Sequence, residues 1–260
     1  MGKAIVFCKC GGERITSERL QGIENVVREA NAEVVVLSDL CLLSVSGKEQ
    51  LKGLFREGTD FLLIGCYDRS MKLMLEQVNT GLEAVDVEYL NFLELTSEEI
   101  AVKIADFSKS SNQVHTYREI GLSSEWKSWY PIIDYSRCTA CGQCHDFCLF
   151  GVYEKRDGKV MVVKPQACKN NCPACARICP QTAIVFPKYL YGGAIGGSEI
   201  IDEVAEQQRQ SADVKTILAG DIYAALEQRK HRRQSIIRNE AMKKAIEDRD
   251  NAMSVFKLNK

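Results

Sequence analysis

Cys138-Thr-Ala-Cys141-Gly-Gln-Cys144-His-Asp-Phe-Cys148 is followed by Cys168-Lys-Asn-Asn-Cys172-Pro-Ala-Cys175-Ala-Arg-Ile-Cys179-Pro180. The spacings are C-x2-C-x2-C-x3-C and C-x3-C-x2-C-x3-C-P. A four-iron cube needs four thiolates in tetrahedral directions. A C-x2-C-x2-C run wraps a tight loop around three corners, and the fourth ligand must come from elsewhere. Structural zinc is the competing use of clustered cysteines, but zinc sites pair C-x2-C units across a longer spacer. Two tandem four-cysteine runs, one ending in Cys-Pro, fit iron and sulfide better.

Residues 132–187 hold an internal repeat. Cys148-Leu-Phe-Gly-Val-Tyr matches Cys179-Pro-Gln-Thr-Ala-Ile in pattern: a cysteine, a short turn, then a short strand. The hairpin between the copies is Val152–Val163, with Asp157-Gly158 as its turn. Over about 55 residues this stretch resembles the bacterial-type two-[4Fe–4S] ferredoxins. In that family the last cysteine of each run ligates the other cluster. The resemblance therefore implies one cluster on Cys138, Cys141, Cys144 and Cys179, and a second on Cys148, Cys168, Cys172 and Cys175. There are two departures. Leu149 follows Cys148 where the family usually has Pro, and the first spacing of the second run is three residues rather than two.

Residues 1–107 alternate between two periodicities. Lys3–Cys8, Glu33–Leu37, Phe61–Gly65 and Ala84–Leu90 are short apolar or β-branched runs that read as buried strands of a mostly parallel sheet. Between them, Ser17–Ala30, Lys48–Glu57, Asp68–Thr80 and Ser97–Phe107 carry apolar residues at helical spacing. This alternation marks an α/β domain.

The four remaining cysteines share one relation to these strands. Cys8 and Cys10 end the first, Cys41 follows the second, and Cys66 directly follows the third. In a parallel sheet the carboxyl ends of the strands lie on one edge, where ligands bind. The four thiols are expected to converge there, with Gly11-Gly12 allowing a sharp turn. Three readings stand open: an iron–sulfur cluster, a redox-active Cys8/Cys10 dithiol, and plain buried cysteines. The segments FCKCGG, DLCLLSVSGKEQLKGL and FLLIGCYDR resemble the N-terminal domain of the heterodisulfide reductase A-subunit family, with Arg69 at the family's arginine position. Tyr67-Asp68 and Leu42-Leu43 depart from that pattern, and the family's flavin-binding domain is missing after it. This resemblance implies a third [4Fe–4S] cluster on Cys8, Cys10, Cys41 and Cys66.

Residues 108–131 are polar and irregular, ending in Trp126, Trp129, Tyr130 and Pro131, and read as a linker. Residues 188–260 read as a helical C-terminal extension. Gly192–Gly197 is no GxGxxG fingerprint, so neither a flavin nor a nicotinamide site is expected in this chain. A long helix from about Asp221 toward Met253 is sparse in apolar residues and is expected to be solvated or to dock on another subunit. Arg229–Arg233 is a basic cluster on it, read as a solvated face or a docking patch. His115, His145 and His231 stand singly; His145, beside Cys144, is either a donor to a cluster sulfur or a surface residue.

Composition agrees with this organisation. The chain has 260 residues, 12 of them cysteine, and a formal net charge of −1. That charge argues against a nucleic-acid partner. No apolar run approaches the roughly 18 residues of a membrane span, and no secretory signal is read at the start. A cytoplasmic location is expected, where reduced cysteines serve metals rather than disulfides.

The expected fold is an α/β N-terminal domain over 1–107, a linker over 108–131, an α+β ferredoxin-like domain over 132–187 and the extension over 188–260. The expected function is single-electron relay. The chain would be a subunit of an oxidoreductase complex similar to heterodisulfide-reductase-type complexes, between a ferredoxin or flavin-linked donor and a partner's active site. The alternatives are an enzyme reducing a disulfide or other small substrate at the N-terminal cysteines, and a metal-stabilised interaction module. No triad, carboxylate pair, P-loop or zinc-protease motif offers other bond-making chemistry.

Overall fold

A computed structural model of the chain describes residues 2–10, 12–109, 115–210 and 239–258. The chain forms two compact units. One takes in Met1–Ser128, Pro187–Gly192 and Gly196–Glu199; the other takes in Trp129–Phe186, Gly193–Ile195 and Ile200–Lys260.

The first unit is built on a five-stranded parallel sheet. Strands β1 (Gly2–Cys8), β2 (Glu33–Leu37), β3 (Thr59–Gly65), β4 (Val87–Asn91) and β5 (Thr116–Ile120) lie in the order β4-β3-β1-β2-β5. Ile5, Val6, Phe7, Val34, Val36, Leu62 and Leu63 are fully buried, as continuous apolar runs demand of strands covered on both faces. The helices are α1 (Ser17–Arg28), α2 (Leu40–Ser46), α3 (Lys48–Leu51), α4 (Asp68–Glu76) and α5 (Ser97–Ser108). Thr16 caps α1 by accepting from Arg19 N, and Thr96 and Glu99 form a reciprocal capping box on α5. The chain leaves β1 toward β2 on one side and returns to β3 on the other, so a topological switch point lies at the carboxyl end of β1.

Three readings of this region change. The helix expected over Lys48–Glu57 is one turn, α3, preceded by α2, which starts at Leu40 because the Asp39 side chain accepts from Leu42 N. The strand expected from Ala84 begins at Val87, because Leu82–Ala84 form a 3-10 turn. The stretch read as an irregular linker over 108–131 contains β5, an edge strand on β2. Its sequence TYREI has a mostly exposed burial pattern, so it lacks the apolar signature of the inner strands. Side chains anchor it: the Tyr117 hydroxyl donates to Glu24 at 3.1 Å, and Glu119 pairs with Lys9 at 2.7 Å.

In the second unit, β6 (Ile132–Ile133) pairs antiparallel with β9 (Ile184–Val185). The hairpin β7 (Tyr153–Arg156) and β8 (Lys159–Val162) turns through Asp157 and Gly158, both left-handed at φ 50 and 72. Two left-handed central residues are what a two-residue type I′ hairpin requires. Helices α6 (Gln143–Phe147) and α7 (Ala174–Arg177) occupy matching places in the two copies of the repeat. A single turn α8 (Gly193–Gly196), then α9 (Glu203–Gln210) and α10 (Asn239–Leu258), complete the described residues.

The C-terminal helix corrects the expectation of a solvated element. In its described part, Ala245 is fully buried and Ala252 nearly so. With Ala241 and Met242 they pack against Cys172, Ala174, Ile178, Phe147 and Phe150. Alanine lets the backbones approach closely, so a face with few large apolar residues still buries. The beginning of that helix near Asp221, the Arg229–Arg233 cluster and His231 lie outside the described residues. Among the described residues no helix is long and apolar enough to cross a membrane.

Candidate metal centres

All twelve cysteines are free. In the second unit, the loop that carries Cys138 is set by Asp134. Its carbonyl accepts from Cys138 N at 2.9 Å, and its side chain accepts from Ser136 N at 3.1 Å. Cys141 follows in the same loop, Cys144 lies in α6 and Cys148 ends that helix. Cys168 ends a 3-10 turn over Pro165–Ala167, Cys172 leads into α7, Cys175 lies in it and Cys179 follows it.

These eight cysteines sort into two groups, each mixing both runs. Cys138, Cys141, Cys144 and Cys179 line one cavity together with Ile133 and Ile184. Burial pushes the Cys144 thiol up to about 12, and Cys179, Cys141 and Cys138 add to it. Burial likewise raises the Cys168 thiol, and there the neighbours are Cys172 and Cys148. Cys175 is raised by burial and then by Cys168, with Cys144 and Cys148 also in reach. Four like groups pressed together in an apolar setting cannot all ionise without a compensating positive charge.

Hydrogen-bond donors point at the sulfurs. Ala183 N donates to Cys179 Sγ at 3.3 Å and the Tyr153 hydroxyl donates to Cys175 Sγ at 3.0 Å. Backbone N–H groups of His145 and Ala174 serve Cys144 and Cys172. The Trp129 Nε1 is buried with no protein partner at hydrogen-bond geometry, yet it faces Cys168 and favours its thiolate. Donors aimed at thiolate sulfur suit a sulfur-ligated cluster. Among the described residues no three His, Cys, Asp or Glu side chains gather closely enough to hold a single metal ion.

In the first unit, Cys8 is the last residue of β1, Cys41 lies in the first turn of α2, and Cys66 directly follows β3. Cys8, Cys41 and Cys66 are buried, and Cys10 is half-buried. Burial raises Cys8, and Cys10 and Cys66 raise it further; Cys41 likewise feels Cys10 and Cys66. Burial pushes Cys66 up to about 12. N–H groups of Leu40, Gly12 and Tyr67 reach Cys8, Cys10 and Cys66 respectively. Gly12 sits at φ +61, the left-handed turn that brings the chain back past Cys10. Gly65 has no room for a side chain: a Cβ there would lie 2.3 Å from Met71 Sδ and 3.5 Å from Cys8 Cβ.

Charged residues around this edge were not singled out in the sequence. Lys188 and Asp39 act on Cys10 and Cys41 with opposite signs, and Arg14 faces Cys66. Arg14 donates to the Tyr67 hydroxyl at 3.1 Å while its Nη1 is buried without a partner. Lys188 and Asp39 are 149 positions apart, so spacing could not have joined them. Arg69, by contrast, is buried in the first turn of α4. Neither described single histidine faces a thiol with its ring. His145 Nδ1 lies 2.9 Å from Asp146 Oδ1, and His115 Nδ1 lies 2.9 Å from the Ala30 carbonyl.

No family model matches this chain, and no solved structure matches it. It is similar to an uncharacterized ferredoxin of Methanocaldococcus jannaschii, with 47% identity over 72 residues. The match takes in 27% of this chain and 49% of the ferredoxin, so the chain spans about half the length of that curated relative.

Proposed function

We propose that this chain is an iron–sulfur electron carrier, holding one [4Fe–4S] cluster on Cys138, Cys141, Cys144 and Cys179 and a second on Cys148, Cys168, Cys172 and Cys175. Each such cluster takes up and releases one electron. The observation that carries the reading is the sorting of two sequential cysteine runs into two mixed groups, each supplied with donors to sulfur. The similarity to a ferredoxin supports it. The chain's own work is to hold thiolates at fixed positions, exclude water with Ile133 and Ile184, and stabilise added negative charge with N–H and O–H donors. Tyr153 lies buried within reach of both Cys175 and Cys144, so the two groups share a common wall.

We extend this reading to a third cluster on Cys8, Cys10, Cys41 and Cys66, supported by their gathering at the carboxyl edge of the sheet, beside its switch point. The partners proposed are a flavoprotein and a catalytic subunit, in a complex similar to heterodisulfide-reductase-type complexes in the cytoplasm. Since the inner face of α10 is spent on its own unit, docking through the C-terminal helix would fall to its outer face.

Iron and acid-labile sulfide, measured on anaerobically prepared chain, test this. About twelve irons per chain supports three clusters and about eight removes the third. A colourless protein without labile sulfide would overturn the proposal as a whole.

A further inference from the structure

The N-terminal thiol edge holds a half-buried ion pair whose parts are already committed. Asp39 Oδ1 accepts from Leu42 N at 3.2 Å, capping α2. Asp39 Oδ2 accepts from the Ser128 hydroxyl at 2.7 Å and from Lys188 Nζ at 2.6 Å. Lys188 Nζ also reaches Ser128 Oγ and the Lys127 carbonyl. Only 16% of the Lys188 side chain and 19% of Asp39 remain exposed. The Lys188 stem runs beside Gly12, whose added Cβ would lie 3.6 Å from Lys188 Cγ. The ammonium donates toward Cys10 and is in electrostatic reach of Cys41.

A helix cap alone does not need this lysine. Asn or Ser caps as well as Asp, and a pair largely withdrawn from water carries a desolvation penalty that its attraction does not reliably recover. The pair stands instead where a group bearing negative charge would sit. Asp39 by itself would oppose each electron added at Cys8, Cys10 and Cys41, whose thiolates it disfavours. Lys188 cancels that opposition, with its stem alongside Gly12.

We propose that Lys188 is a positioning residue for the N-terminal four-thiol site, its fixed positive charge offsetting Asp39 and raising the reduction potential of the cluster held there. The inference rests on the third-cluster reading above. Two substitutions separate charge from packing. Lys188→Met keeps the stem and leaves Asp39 uncompensated. Asp39→Asn keeps the cap and frees the lysine charge.

The test is a potentiometric titration of the full-length chain, with each cluster followed by its own EPR signal, on wild type, K188M, D39N and K188R. K188M is expected to weaken reduction of one cluster by about tenfold, or about 59 mV for one electron, leaving the other two unchanged. D39N is expected to shift the same cluster in the opposite direction, and K188R to retain the wild-type value. A packing role alone would move both variants the same way or neither. If K188M does not load iron, D39N and K188R still decide. Wild type with about twelve irons and no shift in D39N overturns this inference alone; wild type with about eight irons overturns the third cluster and the inference with it.

Discussion

Arg177 Nε donates to Asp248 Oδ2 across 2.6 Å, tying α7 to the C-terminal helix α10. Arg177 lies between Cys175 and Cys179, one in each of the two cysteine groups, so the helix braces the segment that joins the groups. The pair is only 19% and 16% exposed, and Ala245 one turn away is fully buried. Asp248→Ala removes the charge-assisted hydrogen bond to Arg177 and is expected to destabilise the chain by about 1.5–3 kcal/mol. Ala245→Leu overfills the interface and is expected to cost about 1–3 kcal/mol. Chemical denaturation midpoints check both, and the rate at which a chelator bleaches the clusters should rise in each. Unchanged bleaching in A245L would mean that α10 does not support the centres.

The mixed grouping makes a prediction that a simple reading of the two runs does not. Cys179 belongs to the second run but lines the cavity with Cys138, Cys141 and Cys144. Cys179→Ser and Cys144→Ser are therefore expected to perturb the same EPR signal, while Cys148→Ser perturbs the signal that Cys172→Ser does. Each loss should remove about four irons per chain, or convert one cube to a three-iron form. Should C179S instead perturb the signal that C175S perturbs, the grouping is wrong.

Tyr153 is a test of tuning within the second unit. Its buried hydroxyl donates to Cys175 Sγ at 3.0 Å. A hydrogen bond to a ligand sulfur favours the more negative, reduced state. Tyr153→Phe keeps the ring and removes the donor, so the potential of the cluster on Cys175 should fall, by about 30–60 mV if reduction is disfavoured by about threefold to tenfold. Potentiometric titration of this variant should leave the other signals in place.

The inner architecture was legible because burial on both faces writes itself as uninterrupted apolar runs. EVVVL is β2 residue for residue, and FLLIG lies wholly within β3. The thiols were legible because C-x2-C loops and strand ends have local signatures. What escaped depended on partners distant in the chain. β5 is an edge strand held by polar side chains, with no pattern of its own. The inner face of α10 is mostly alanine, too small to mark an apolar stripe. Lys188 meets Asp39 only after the chain has folded back, and α2 lies in DLCLLSVS, a short, nearly all-apolar run with little helical periodicity whose Asp39 cap is its one local signal.

Glu24 shows what holds that unrecognised edge strand. It is buried in α1, where burial would raise its carboxyl, yet hydrogen bonds from Arg28 at 2.7 Å and Tyr117 at 3.1 Å, with Lys9 at 3.8 Å, hold it below the usual range. A carboxylate depressed on folding stabilises the native state fully above its unfolded value of about 4.3, and that contribution is lost as pH falls through the lower folded value. Glu24→Gln should therefore destabilise the chain at pH 7 by about 1.5–3 kcal/mol, through loss of charge-assisted hydrogen bonds to Arg28 and Tyr117. The difference in denaturation midpoint between wild type and E24Q is expected to be constant from pH 7 to about pH 5 and to close below about pH 4. Comparing the two proteins at each pH cancels acid loss of the clusters, which is common to both. A gap that stayed constant down to pH 3 would mean that Glu24 supports β5 by shape rather than by charge.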